Sequence, residues 1–235
     1  QISEIHFVPK GIILGVMPWN FPFWQVLRFA IPAILSGNTI LIKHASICFE
    51  SGNTIEKLLI DAGFPEGIFQ NLEVGHSEVK TILEHQWVRG VSLTGSEKAG
   101  AEVASLAGEN IKKSMLELGG SDAFIILDDA DIQEATEAGT LARLQNCGQT
   151  CVAAKRYIVQ ENIFDEVLER FVTEFHKFVP NDPFDKATKI SGLARPNLAD
   201  ELEKQYHRAV DSGAKIVLPL QRLSEISFMP SLLIV

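Results

Sequence analysis

The chain has 235 residues, 46% of them hydrophobic and 22% charged, and 21 Lys and Arg against 30 Asp and Glu give a net charge of -9. That length admits one large domain or two smaller ones, and the acidic balance excludes the basic footprint of a nucleic-acid binder. The cysteines (Cys48, Cys147 and Cys151) are too few and of the wrong parity for a disulfide framework, which points to a reducing, cytoplasmic setting.

Taken in chain order, residues 1–9 read as an edge strand entering from something earlier. Short apolar runs at 12–17, 39–43, 68–74 and 88–94 have the character of strands buried in a parallel sheet. Helical patterns separate them at 23–35, at 47–62 ending in Gly63-Phe-Pro65, at 78–84, and at 97–107 ending at Gly108. The apolar stretch 21–35 is too short to span a bilayer and carries Gln25, Arg28 and Pro32, so it reads as a buried helix and no membrane association is expected. This alternation predicts βαβ units and a doubly wound α/β sheet. After Gly119-Gly120, where a domain boundary is expected, the pattern restarts with a strand at 123–127 and a helix at 131–146. Asn162 reads as the N-cap of a helix at 163–178, whose stripe of Phe164, Val167, Leu168, Phe171, Val172 and Phe175 is core. A loop at 181–185, a helix at 198–212 closed by Gly213, and an apolar strand at 230–235 follow. The abrupt start and finish look like the middle of a longer protein.

Five short runs carry chemistry, each beside a plainer alternative. Glu117-Leu-Gly-Gly120 sets a carboxylate beside a glycine pair, and Gly148-Gln-Thr-Cys151 sets a thiol after a tight polar turn. A thiol nucleophile and a separate carboxylate base suit thioester formation and hydrolysis, whereas a single cysteine is more often buried packing than a nucleophile. Thr94-Gly-Ser96 leads from a strand into a helix containing Gly100, a cradle for an anion or simply a capped turn. Pro18-Trp-Asn-Phe-Pro22 is a rigid turn at the carboxyl edge of the sheet that presents an amide or merely packs its Trp. Lys43-His-Ala-Ser46 follows another strand; Lys43 there can hold ribose hydroxyls or phosphate, and His44 reads as a surface or turn histidine. Cys147 and Cys151 have no His or second Cys pair beside them, so no metal site is expected.

Together these five runs, in this order and spacing, resemble the aldehyde dehydrogenase superfamily over essentially the whole chain. The resemblance implies that Cys151 attacks the aldehyde carbonyl, that the Asn20 amide with the Cys151 backbone N–H stabilises the oxyanion, and that Glu117 activates water against the thioester. It implies NAD or NADP as cofactor, with Trp19, Lys43, Ser46, Gly95, Ser96, Gly100 and Leu118 on the cofactor side. It makes Cys147 structural and Cys48 packing. The domains it implies are part of an oligomerisation hairpin at 1–9, an NAD(P)-binding domain at 10–119, and the first part of a catalytic domain at 120–235. It also implies a homo-oligomer, a dimer or a tetramer.

The longer strings Met17-Pro-Trp-Asn-Phe-Pro-Phe-Trp-Gln-Val26, Leu116-Glu-Leu-Gly-Gly-Ser-Asp122 and Cys151-Val-Ala-Ala-Lys-Arg156 are similar to bacterial succinate-semialdehyde dehydrogenases, in the group with His44 where Pro is usual. Arg28 matches an arginine that faces the substrate's distal carboxylate there; as a helix residue it equally suits a pair with an acidic neighbour. A second arginine found in some of those enzymes, six residues before the nucleophile, is Gln145 here, with Arg143 close by, so another small aldehyde stays open as substrate. Many NAD-preferring relatives have Glu at the position of Ser46, so Ser46 with Lys43 predicts acceptance of NADP. Such enzymes carry more chain at both ends, including a Glu-x-Phe-Gly-Pro motif for the nicotinamide ribose. A truncated chain that binds cofactor or partner subunits without turnover is therefore the alternative to an active enzyme.

Overall fold

The computed structural model describes residues 3–6 and 8–235 and divides the chain at Gly119/Gly120 into two compact units. In the first unit, β1 (Ile12–Met17), β2 (Thr39–His44), β3 (Phe69–Asn71), β4 (Val88–Thr94) and β5 (Lys113–Glu117) form one sheet. All neighbours pair in parallel, in the order β3-β2-β1-β4-β5. The helices α1 (Trp24–Leu35), α2 (Phe49–Asp61), α3 (Glu78–Glu84) and α4 (Glu97–Glu109) are the crossovers. Strand side chains alternate between two cores. Met17, Ile40 and Ile42 pack with Val26, Ala30 and Ile34 of α1 and Ile55 and Leu59 of α2. Leu14, Val91 and Leu93 pack with Val79 and Leu83 of α3 and Val103 and Ala107 of α4. A sheet buried on both faces explains why its strands are continuous aliphatic runs. The expected doubly wound α/β arrangement is present.

In the second unit β6 (Ala123–Ile126) and β7 (Arg156–Val159) pair in parallel, with α5 (Ile132–Leu144) and α6 (Phe164–Phe175) over a core of Ile126, Leu144, Val167, Phe171 and Phe175. Gly139 lets α5 approach that core: a Cβ there would lie 3.1 Å from both Phe171 and Tyr157. Then come α7 (Pro196–Asp211) and β8 (Lys215–Leu218), followed by β9 (Gln221–Arg222), β10 (Phe228–Met229) and β11 (Leu232–Ile234). β8 pairs with β11 and β9 with β10, both antiparallel.

Several expectations are corrected. Residues 3–6 and 8–9 form no strand, and residues 1, 2 and 7 lie outside the described residues. α1 buries only one face: Trp24 is 63% and Leu35 75% exposed. Asn162 does not cap α6, which begins after a 3-10 turn at Glu161–Ile163; its amide lies 3.5 Å from Asp128 Oδ2 instead. The strand expected at 68–74 is only Phe69–Asn71. β5 has no apolar run, being Lys-Ser-Met-Leu-Glu with four of its five residues exposed, and pairs only through its backbone as an edge strand.

Candidate active site

Because every strand of the first unit runs the same way, their carboxyl ends share one edge, and the strand order reverses between β1 and β4. Such a reversal opens a crevice at that edge, where open α/β sheets take their ligands. The turn Pro18-Trp-Asn-Phe-Pro22 leaves β1 there and Gly95-Ser96 leaves β4. Lys43 and His44 end β2, and Glu117 ends β5. One edge therefore collects Trp19, Asn20, Lys43, Ser46, Gly95, Ser96 and Glu117 from four strand ends.

Ser96 is the N-cap of α4, its Oγ accepting the Ala99 N–H at 3.2 Å, and it is exposed. Gly95 N–H donates to the Glu117 carbonyl at 3.0 Å, so the loop before α4 and the end of β5 are tied together. Gly100 is buried in α4, where a Cβ would lie 2.6 Å from Leu118 Cδ2. This pair sets the distance between helix and strand end, a packing role. Lys43 is 2% exposed. Burial lowers its pKa, opposed by the Glu78 carboxylate. Ser46 opens a 3-10 turn just beyond β2 and is exposed.

His44 is fully buried, not at the surface. Its Nε2 lies 2.9 Å from the Pro22 carbonyl and its Nδ1 accepts the Ala45 N–H at 2.9 Å. Burial lowers its pKa below the ordinary value; the Pro22 carbonyl opposes this and the Lys43 charge adds to it. Cys48, also buried, points its thiol at the Trp19 carbonyl, 3.9 Å away. Arg28 Nη2 stands 3.7 Å from Glu117 Oε2, both side chains about half exposed. Of its two expected roles, the pair with an acidic neighbour is the one present here.

In the second unit Cys151, partly buried, follows a turn of unusual backbone. Asn146, Cys147 and Gly148 take φ of 53°, 55° and 75° in succession. Left-handed non-glycine residues cost on the order of 1 kcal/mol each and persist where surrounding contacts fix them. Those contacts are present. Gln149 donates to Asn146 O from its backbone and its side chain, both at 3.1 Å, and its Oε1 accepts Ala194 N–H at 2.9 Å. Cys147 Sγ accepts Ser191 N–H at 3.2 Å, and Arg143 Nη1 donates to Gly148 O at 3.2 Å. Lys155 Nζ donates to the Cys151 carbonyl at 2.8 Å and also to Gly120 O. Arg156 donates twice to Ser121 O, at 3.0 and 2.7 Å. Arg143 is thus engaged in holding the turn.

The family profile described as the aldehyde dehydrogenase family matches residues 1–233. This chain belongs to that family. A succinate-semialdehyde dehydrogenase [NADP(+)] from Deinococcus radiodurans is 45% identical over 222 residues, covering 94% of this chain and 46% of the relative. One of the same description from Mycobacterium avium is 46% identical over 214 residues, 91% and 45% of the two chains. A crystal structure of succinic semialdehyde dehydrogenase from Streptococcus pyogenes, in complex with NADP+, superposes with a TM-score of 0.93 at 38% identity. It covers 96% of this chain and 50% of that one. The chain thus spans about half the length of the curated relatives it matches.

Of the expected motif residues, Trp19, Asn20, Lys43, Ser46, Gly95, Ser96 and Glu117 lie at the strand-end edge of the first unit, Gly100 within α4, and Cys151 just after the strained turn of the second. Sequence reading missed His44, Arg143 and Lys155 as supports of those motifs. The only signal for the turn was Gly148 after Asn146 and Cys147, since Asn tolerates left-handed φ.

Proposed function

We propose that this chain carries the cofactor side and the nucleophile of an NADP+-accepting aldehyde dehydrogenase acting on succinate semialdehyde. What supports the reading most is the gathering of Asn20, Lys43, Ser96 and Glu117 at one sheet edge. The matching motifs and the descriptions of the relatives add the substrate. The residues fit an anionic dinucleotide. Ser96 heads a 13-residue helix with exposed first-turn residues, and Lys43 is a buried ammonium that gains from a nearby phosphate. With an exposed hydroxyl at Ser46 in place of a carboxylate that would repel a 2′-phosphate, NADP+ is accepted.

In the reaction, the Cys151 thiolate adds to the aldehyde carbon to give a thiohemiacetal. Its oxyanion is held by the Asn20 amide and the Cys151 backbone N–H. A nicotinamide cofactor held by Trp19, Lys43, Ser46 and Ser96 would supply the hydride acceptor for that carbon. Glu117 takes a proton from water as it attacks the resulting thioester, which releases the carboxylic acid and returns the thiolate. Arg28 pairs with the substrate's distal carboxylate. Its present pair with Glu117 is half exposed and costs little to exchange, about 0.2–1 kcal/mol for pairs of this kind. The same family membership supports a cytoplasmic homo-oligomer, dimer or tetramer, which light scattering would measure.

The test is formation of reduced nicotinamide from succinate semialdehyde with NAD+ and with NADP+, beside a Cys151→Ala control. Turnover that requires Cys151 and proceeds with NADP+ supports the proposal. Cofactor binding without turnover supports instead a chain that binds but does not react. Turnover unaffected by Cys151→Ala overturns the assignment of the nucleophile.

A further inference from the structure

The turn that bears Asn20 begins and ends on proline. Pro18 and Pro22 bring no amide hydrogen, so two of its five residues cannot donate from the backbone. Two of its carbonyls are taken by side chains at and just beyond the end of β2: Trp19 O by the Cys48 thiol, and Pro22 O by His44 Nε2. Asn20 lies between those two anchored carbonyls. β1 and β2 pair to their last residues, Met17 opposite His44, so the histidine stands beside the point where the turn begins. With no exposed surface, its ring must satisfy both nitrogens inside the protein, and it does: Nε2–H donates to Pro22 O while Nδ1 accepts from Ala45 N–H. The two partners together require the neutral ring protonated on Nε2.

We infer that His44 is a positioning residue, which fixes the Pro18–Pro22 turn through Pro22 O and so aims the Asn20 amide. The inference rests on the role proposed for Asn20. An oxyanion donor acts only as negative charge develops on the substrate, so a loosened turn slows the chemical step and leaves binding nearly intact.

Two substitutions separate the ring's two bonds. In His44→Gln the side-chain amide reaches as far as Nε2 and keeps the donor to Pro22 O. In His44→Asn it reaches only as far as Nδ1 and keeps the acceptor for Ala45 N–H. Two readouts are taken on each variant: steady-state kinetics with succinate semialdehyde and NADP+, and hydrogen exchange by mass spectrometry over the whole chain. We expect His44→Asn to lose about tenfold or more in kcat with KM shifted less than about twofold, and His44→Gln to stay within about threefold of the parent. Exchange should quicken in His44→Asn within the peptide spanning residues 17–24 and stay parental there in His44→Gln. Equal kcat losses in the two variants, or unchanged exchange at 17–24 in His44→Asn, would overturn the inference. Should the parent chain itself show no turnover, the proposed activity fails for this chain, and the exchange pattern alone still decides whether His44 holds the turn.

Discussion

The two units place their functional residues by different means. In the first, side chains stand at or just beyond the ends of parallel strands, and the sheet brings them to one edge. In the second, Cys151 follows three successive left-handed residues, clamped by side chains of Arg143, Gln149 and Cys147. The first arrangement draws on a core shared by nine buried residues on one face and eight on the other. The second draws on a handful of hydrogen bonds. A fault in packing should therefore cost the first unit stability and spare its site, while a fault in the turn should cost the second unit its site and spare its fold.

The sharpest way to break this contrast is Gly148→Ala. The residue would sit at a φ of 75° with its Cβ 2.9 Å from Arg143 Nη1, so both the turn and its clamp must shift. Cys151-dependent turnover should fall about a hundredfold, as for a misplaced reacting group. The melting temperature should move only by what about 1–2 kcal/mol of backbone strain allows. In the first unit the counterpart is Gly15→Ala, whose Cβ would meet Ile42, Phe29 and Met17 side chains at 2.6 to 2.9 Å. Denaturant unfolding should show a loss of about 1–3 kcal/mol from overpacking, with turnover at room temperature nearly unchanged. Equal damage to activity from both would refute the division.

Two smaller effects refine it. The His44 pKa is lowered in the folded chain, chiefly by burial and further by the Lys43 charge, from an ordinary value of 6.5. The unfolded chain then binds the proton more readily, so stability is full above pH 6.5 and falls as pH drops through 6.5 toward the folded value. Denaturation midpoints measured from pH 7.5 downward should decline at this point in the parent and less in His44→Gln. The smallest effect belongs to Arg28→Gln. Its exposed pair with Glu117 contributes about 0.2–1 kcal/mol at most, so stability barely changes. KM for succinate semialdehyde should rise severalfold relative to that for an uncharged aldehyde; an equal change for both would remove Arg28 from substrate recognition.

The same contrast explains what could be read from the sequence. The buried strands β1, β2 and β4 and the helices between them announce themselves, because a sheet covered on both faces needs continuous aliphatic runs. β5 does not, since an edge strand pairs through its backbone and needs no apolar side chains, although it carries Glu117. Asn162 failed as a cap because a 3-10 turn intervenes before α6. The motif residues were legible as residue types in order. The bonds that hold them were not: His44 to Pro22, Arg143 to Gly148 and Lys155 to Cys151 are contacts of side chains with carbonyls, which leave no periodic or compositional trace. Arg28 was legible only as two alternatives, and its 3.7 Å approach to Glu117 shows the acidic neighbour without testing the substrate role.

The central proposal is that Cys151 carries the acyl group and that Glu117 directs its hydrolysis. Glu117→Gln should leave acyl transfer to the thiol intact and block its hydrolysis. Incubated with succinate semialdehyde and NADP+, that variant should gain the mass of one succinyl group, and peptide mapping should locate it on Cys151. An adduct on Cys147 or Cys48, or none at all from a variant that still binds NADP+, would contradict the account.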